Sequence, residues 1–189
     1  MRCERGLSAF DNRHRLVVSG LYDLPIGKGR SVDVQNRFLN ALAGGWQLGS
    51  IVTWRSGFPL NPSAGVNRAN TNINVDRPNA TGVSQSLDNR STAQWFNTAA
   101  FALAPLYSFG NAARNSVIGP PGFTLDFSAH KDFRIREGHA LQFRMEAFNF
   151  LNHPVWGLPN ANFSSPQFGR ISSTSASMRQ MQFALKYTF

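Results

Sequence analysis

The chain has 189 residues, which is enough for one domain with a real core. Its formal net charge of +9 comes from basic residues spread along the chain without a dense run. This distribution disfavours a nucleic-acid-binding surface and suits contact with anionic lipid headgroups. Phe is frequent (16 residues), and Gly, Asn and Ser are scattered throughout, so the composition predicts β structure with many turns.

The N-terminal residues lack the apolar segment of a secretory signal peptide. Cys3 is the only cysteine, which excludes an intrachain disulfide, and no apolar stretch precedes it, which disfavours a lipid-anchored cysteine. No apolar run is long enough for a transmembrane helix. If the chain crosses a membrane, we expect it to do so with β-strands.

Five segments alternate between apolar and polar residues and are predicted strands. In the first, Val17 and Leu21 fall on the otherwise polar side. In the second, Trp46 and Trp54 share a face and are separated by roughly 20 Å along the normal of a bilayer, close to the height of a lipid-facing band. The predicted strands lie near 14–24, 46–55, 123–135, 140–150 and 179–189.

Between the first two strands, the sequence predicts a short helix. Asp33 is a candidate N-cap and Gly44 a candidate stop, and the segment between them carries Phe38, Leu39 and Leu42.

Two long connections, 57–121 and 151–178, have little periodicity. Such lengths are rare in a compact soluble domain, whereas long outer loops are normal in an outer-membrane barrel. Their aromatic residues are possible ligand contacts, although each is also explained by packing of the loops against each other. These residues are Trp95, Phe96, Phe101 and Trp156.

The third and fourth strands form a predicted hairpin. A three-residue loop, Glu137-Gly138-His139, places Arg136 opposite Ala140. In that register two opposite-charge pairs form on the polar face, Asp132 with Arg144 and His130 with Glu146. Lys131 falls on the apolar side, close enough to a strand end for its stem to extend towards the interface.

The last strand separates its residues most cleanly. Gln182, Ala184, Lys186 and Thr188 alternate with an apolar set that reaches the final residue. Alternation alone fits both a transmembrane barrel strand with interfacial aromatics and the terminal strand of a soluble sandwich. The apolar set is Met181, Phe183, Leu185, Tyr187 and Phe189.

Ordered motifs along nearly the whole chain resemble the C-terminal end of TonB-dependent outer-membrane receptors of the Oar-like group, which carry a carboxypeptidase-regulatory-like N-terminal domain. One similar stretch is the final strand, which ends in Phe189. The others are Phe10-Asp11-Asn12-Arg13-His14-Arg15, Tyr22-Asp23-Leu24-Pro25, Gly44-Gly45-Trp46-Gln47-Leu48, Trp95-Phe96-Asn97, Gly119-Pro120-Pro121-Gly122, Lys131-Asp132-Phe133 and Phe143 to Pro154.

The resemblance implies a barrel of 22 strands around a plug, which imports bulky nutrients with energy passed on by TonB. It implies location in the cell outer membrane and contact with outer-membrane lipid, with the remainder of the barrel and plug, and with TonB through an N-terminal part. It also implies that the barrel assembly machinery reads the last strand, at Phe183, Leu185, Tyr187 and Phe189.

The expected fold class is therefore all-β, with about five antiparallel up-and-down strands forming part of a transmembrane outer-membrane β-barrel. Five strands leave two open edges, and no plug or TonB-contacting segment is recognisable. We thus expect residues 1–189 to be a C-terminal portion of a receptor barrel domain that does not transport by itself. Two alternatives stay open: a soluble β-sandwich ligand-binding module, and a small chain that oligomerises into a barrel.

No catalytic chemistry is indicated by the residue patterns. The four histidines, His14, His130, His139 and His153, lack metal-ligand spacing, and no nucleophile motif occurs. We expect no enzyme activity, no catalytic residue, no metal site, no cofactor and no nucleic-acid partner.

Overall fold

The computed structural model describes residues 5–71 and 76–189. Cys3 lies outside the described residues, and with it the predictions that it forms no intrachain disulfide and carries no lipid. The described residues cluster into two units. A sheet unit comprises 16–54, 123–154 and 177–189, and a loop unit comprises 5–15, 55–71, 76–122 and 155–176.

The regular elements of the described chain are mostly strands. One α-helix, α1 (Arg37–Ala43), and one 3-10 turn, Thr98–Ala100, accompany them. In chain order the strands are β1 (Arg15–Asp23), β2 (Trp46–Arg55), β3 (Pro59–Leu60), β4 (Asn79–Ala80), β5 (Phe101–Ala102), β6 (Val117–Ile118), β7 (Gly122–Arg136), β8 (His139–Phe148) and β9 (Gln180–Thr188).

The five long strands form one antiparallel sheet in the order β1-β2-β7-β8-β9. The predicted all-β, antiparallel fold class is thereby confirmed. The sheet does not close on itself within the described part of the chain, and β1 and β9 are its edges. The long connections 57–121 and 151–178 each join neighbouring strands at one end, and the short turn between β7 and β8 joins strands at the other.

The hairpin between β7 and β8 has a different register from the predicted one. Arg136 lies opposite His139, and the pairing shifts between Arg134 and Arg136, so Ile135 is the extra residue of a bulge. The turn is therefore Glu137-Gly138, with Gly138 at φ +77°. His139 belongs to the strand because its Nδ1 lies 2.5 Å from the Tyr187 hydroxyl on β9.

This register makes both predicted charge pairs wrong. Asp132 lies opposite Gln142, and His130 lies opposite Arg144. The error is a slip of two residues, which changes every cross-strand partner and leaves every side chain on its predicted face. Glu146 instead forms its ion pair with Arg144, two residues earlier on the same strand.

The predicted helix between β1 and β2 is present, but its N-cap is not Asp33. Asn36 caps α1, and its side chain accepts hydrogen bonds from the Phe38 and Leu39 amides at 2.9 and 3.2 Å. Asp33 instead accepts a hydrogen bond from the Gly29 amide at 3.1 Å. Gly44 ends the helix as predicted.

The loop unit has its own hydrophobic core, which the weak periodicity of its sequence did not indicate. Two short ladders, β3 with β6 and β4 with β5, run through it. The buried core is Leu60, Phe96, Ala100, Phe101, Ala112 and Val117, with Trp95, Ala161, Phe163 and Phe168 packed against it.

The soluble β-sandwich alternative is contradicted by the sheet unit. A sandwich buries the apolar strand faces under a second sheet. Here Phe183 and Leu185 remain 63% and 68% exposed. No helix among the described residues is both long and apolar enough to cross a bilayer.

Candidate functional site

One face of the five-stranded sheet is mostly apolar, with Ser50, Lys131 and His139 as its polar members. The pairings of β7, β8 and β9 bring residues of odd number to the same face. On β2 the corresponding residues are even, because Trp46 packs edge-on against Phe143, with ring centroids 6.0 Å apart. The face consists of Leu16, Val18, Tyr22, Trp46, Leu48, Val52, Trp54, Phe123, Leu125, Phe127, Phe133, Leu141, Phe143, Met145, Met181, Phe183, Leu185 and Tyr187.

The opposite face of the sheet carries three separate groups of hydrogen-bonded polar side chains. Gln142 Nε2 donates to Asp132 Oδ1 at 2.8 Å, and Gln47 Nε2 donates to Asp23 Oδ1 at 2.7 Å. Gln182 donates to Glu146, which also pairs with Arg144. Each group links two neighbouring strands through charge-assisted hydrogen bonds.

The polar face contains a hollow of about 550 Å³ between β1, β2, β7 and β8. Asp126, Ser128, Arg144 and Glu146 line it from β7 and β8. Gly49 lies at its base, and a Cβ there would displace the Ser128 hydroxyl and lie 3.1 Å from a Leu21 methyl group. Leu21, Ile51 and Phe148 also line it, so the hollow combines an apolar floor with a few charged and polar groups.

The four residues of the predicted assembly signal lie along β9. Phe183 and Leu185 stand opposite Met145 and Phe143, and Tyr187 stands opposite Leu141. Tyr187 also stacks with Phe189 at 6.0 Å between ring centroids. The structure therefore places Phe183, Leu185 and Tyr187 in one line on an edge strand, and Phe189 directly follows that strand.

The four aromatic residues of the long connections separate into two classes. Phe96 and Phe101 are buried, at 2% and 4% exposure, and both pack edge-on against Phe168 with centroids 5.1 and 5.8 Å away. Packing, rather than ligand contact, explains these two residues. The structure does not bring all four candidates into one site.

The two tryptophans of the loop unit are more accessible. Trp95 is half-buried on the core, donates from Nε1 to the Ile118 carbonyl at 2.8 Å, and has the Arg90 guanidinium 5.5 Å from its ring centroid. Trp156 is 38% exposed and forms an isolated bridge with Thr174. Of the four candidates, these two have surface available to a ligand.

Sequence reasoning missed a second hollow, of about 430 Å³, at the end of the sheet that holds α1. Lys28, Arg30, Arg37 and Arg134 line it. In the sequence this hollow is visible only as isolated basic residues, because Arg134 is about a hundred positions from the other three. Antiparallel pairing of β7 in the sheet brings it to them.

The described histidines are dispersed. His139 contacts Tyr187, and His153 packs edge-on against Phe123 with ring centroids 6.1 Å apart. Within residues 5–71 and 76–189, no group of three or more His, Cys, Asp or Glu side chains is arranged to hold a metal ion.

Comparison with known proteins assigns a family to this arrangement. The family model described as "Outer membrane beta barrel domain" matches residues 1–182. No curated protein and no solved structure matches the chain. The match covers β1, β2, β7 and β8 and the start of β9, and it agrees with a sheet that has one lipid-compatible face and one polar face. The chain therefore belongs to the outer membrane beta barrel domain family and is an outer-membrane protein.

Proposed function

We propose that this chain is the C-terminal barrel segment of a TonB-dependent outer-membrane transporter of the Oar-like group, and that the transporter takes up a bulky nutrient. The family match supports location in the outer membrane. The ordered motifs from Phe10 to Phe189 support the receptor type. By itself, the five-stranded segment has two open edges and is not transport-competent.

The observation that carries the proposal is the core of the loop unit. Loops that only connect strands at a surface do not need a buried aromatic cluster. Here Phe96, Phe101, Phe163 and Phe168 pack in edge contacts with centroids 5.1 to 5.9 Å apart. A rigid outer structure pre-organises a surface for a large solute, which lowers the entropy cost of binding.

The proposed ligand surface of the loop unit contains Trp95 and Trp156. Both keep part of an aromatic ring accessible, and such rings supply large contact areas at low conformational cost. Phe96 and Phe101 support that surface from beneath without touching the solute. We propose no catalytic step, cofactor or nucleic-acid contact for this protein.

The proposed partners follow from the strands. The apolar face meets outer-membrane lipid, and β1 and β9 pair with the remainder of the barrel around its plug. Phe183, Leu185, Tyr187 and Phe189 form the strand that the barrel assembly machinery recognises. TonB acts through an N-terminal part of the receptor.

Uptake measurements in the source bacterium test the proposal. The gene encoding this chain is deleted, and uptake is measured for labelled metal chelates, corrinoids and oligosaccharides, with and without TonB. We expect one solute class to lose uptake in the deletion strain and to lose it equally in a strain without TonB. Normal uptake of every solute, or a gene-dependent uptake that persists without TonB, contradicts the proposal.

Variants then locate the ligand surface. Trp95→Ala and Trp156→Ala are expected to reduce uptake while the amount of protein in the outer membrane stays unchanged. Leu106→Ala is the matched control, because Leu106 is a 62% exposed apolar residue of the same unit. If all three variants transport at the normal rate, these tryptophans are not the ligand surface.

A further inference from the structure

The short helix α1 exposes a patch of large apolar side chains. Phe38, Leu39 and Leu42 are 81%, 57% and 70% exposed. The helix is nevertheless held in place, because Trp46 Nε1 donates to the Leu42 carbonyl at 2.8 Å and the Lys28 amide donates to Asn40 Oδ1 at 2.9 Å. A fixed helix with an uncovered apolar side needs an apolar environment.

Lys131 joins this helix to the apolar face of the sheet. Its side chain is buried, and Nζ donates to the Gly44 carbonyl at the helix end. Nζ also lies 5.7 Å from the centroid of the Trp46 ring and 5.0 Å from that of Phe133. The C-terminal end of α1 is therefore held beside side chains of the apolar face of β2 and β7.

Next to the helix lies the basic hollow. Lys28, Arg30, Arg37 and Arg134 line it, and Asp132 is its acidic member. Asp132 and Arg134 stand on the polar face of β7 and Lys131 and Phe133 on its apolar face, so the hollow is lined from both faces near the end of the strand. Asp132 already accepts a hydrogen bond from Gln142, and none of the four cations forms an ion pair with another residue in the described part of the chain. Four uncompensated cations beside an apolar patch match an amphiphilic anion.

The end of the sheet that holds α1 is the periplasmic end. Short turns lie on the periplasmic side of outer-membrane barrels and long loops on the extracellular side. The two-residue turn Glu137-Gly138 lies at the α1 end, and both long connections leave from the opposite strand ends. The helix is thus at the level of the lipid headgroups of the periplasmic leaflet.

We propose that α1 and the basic hollow form a binding site for an anionic glycerophospholipid of that leaflet. The lipid phosphate occupies the hollow among Lys28, Arg30, Arg37 and Arg134, where guanidinium groups donate paired hydrogen bonds to its oxygens. The acyl chains lie against Phe38, Leu39 and Leu42. This site is separate from nutrient uptake and does not depend on which solute is transported.

Quenching of Trp46 fluorescence by brominated lipid tests the proposal, because Trp46 contacts both α1 and Lys131. The complete barrel that contains this sheet, carrying Trp54→Phe, Trp95→Phe and Trp156→Phe and with any tryptophan outside this chain replaced likewise, is folded into phosphatidylcholine vesicles. Brominated phosphatidylglycerol or brominated phosphatidylcholine is then titrated in at constant ionic strength. We expect brominated phosphatidylglycerol to bind at least five-fold more strongly, since one cation near a lipid surface contributes about five-fold.

The variant Arg37→Gln with Arg134→Gln is expected to bring this preference close to one. Arg13→Gln with Arg15→Gln removes the same charge at the start of β1 and should keep the preference. Equal quenching by the two lipids in the protein with an unchanged hollow overturns the proposal. An equal loss of the lipid preference in the control variant, Arg13→Gln with Arg15→Gln, also overturns it. If the site variant does not fold, the comparison of the two lipids alone decides.

Discussion

The orientation of β9 can be tested by placing the same charge on two neighbouring residues. Phe183 and Gln182 are adjacent in sequence, and their side chains point to opposite faces of the sheet. We predict that Phe183→Arg strongly destabilises the protein in a bilayer, whereas Gln182→Arg leaves its stability nearly unchanged.

The size of the difference follows from depth and exposure. Phe183 lies six residues before Phe189, which corresponds to about 15 Å along the membrane normal and places it inside an apolar band about 25 Å tall. Arginine on the lipid face near mid-depth costs about 2–4 kcal/mol. In water, the same 63% exposed position would tolerate arginine to within about 0.5 kcal/mol. At position 182, arginine meets the carboxylate of Glu146, the present partner of Gln182.

Guanidinium titration of the complete barrel that contains this sheet, in phospholipid vesicles and followed by tryptophan fluorescence, measures the two free energies of unfolding. The expected gap is about 2–4 kcal/mol in favour of Gln182→Arg. If the two variants unfold within about 0.5 kcal/mol of each other, lipid does not cover the apolar face, and the assignment of the two faces is refuted.

Three further predictions concern packing, capping and turn geometry. Phe96→Ala should destabilise the loop unit by about 3–5 kcal/mol because its ring is buried, whereas Trp156→Ala, at an exposed position, should cost less than about 1 kcal/mol. Near-ultraviolet circular dichroism during denaturation measures both free energies of unfolding. Equal losses in the two variants would contradict the core assignment. Asn36→Ala should weaken α1 by about 1 kcal/mol, measured by amide hydrogen exchange, and Asp33→Ala should not, because only Asn36 accepts hydrogen bonds from the Phe38 and Leu39 amides. If the protection of these amides falls only in Asp33→Ala, Asp33 is the N-cap, as the sequence predicted. Gly138→Ala should destabilise the β7–β8 hairpin by about 1 kcal/mol in denaturant titration, because Gly138 has a φ of +77°, which alanine adopts only with strain. An unchanged free energy of unfolding would exclude the two-residue turn.

The faces of the strands were predictable because side-chain alternation is a local property of the sequence. Each of Met181, Phe183, Leu185 and Tyr187 lies on the apolar side, and the two-residue slip of the hairpin did not change that. The register was less predictable, because His139 joins the strand through Tyr187, which is 48 positions away. No pattern within the hairpin itself carries that contact.

The loop unit was hidden for a related reason. Its core residues Leu60, Phe96 and Val117 come from segments that are distant in the sequence, and Phe168, from a fourth segment, packs against them. Short ladders of two residues produce no alternation that a sequence pattern can detect. The same holds for the basic hollow, where strand pairing brings Arg134 to Arg37. Sites assembled from single residues of distant segments need the fold before they can be recognised.

The two edges of the sheet limit how the protein can exist in a membrane. Every backbone amide and carbonyl within the hydrocarbon region needs a hydrogen-bond partner, and an unpaired edge strand leaves half of its groups without one. The outward edges of β1 and β9 have no partner strand in the described part of the chain. Insertion therefore requires further strands on both edges, supplied by a longer barrel or by other copies of this sheet. Because the apolar face of β9 is regular and that of β1 is not, with Val17 and Leu21 on its polar side, the edges are not equivalent. A barrel of identical copies would have to pair these two unlike edges at every junction, which makes one longer barrel the closure that the patterning favours.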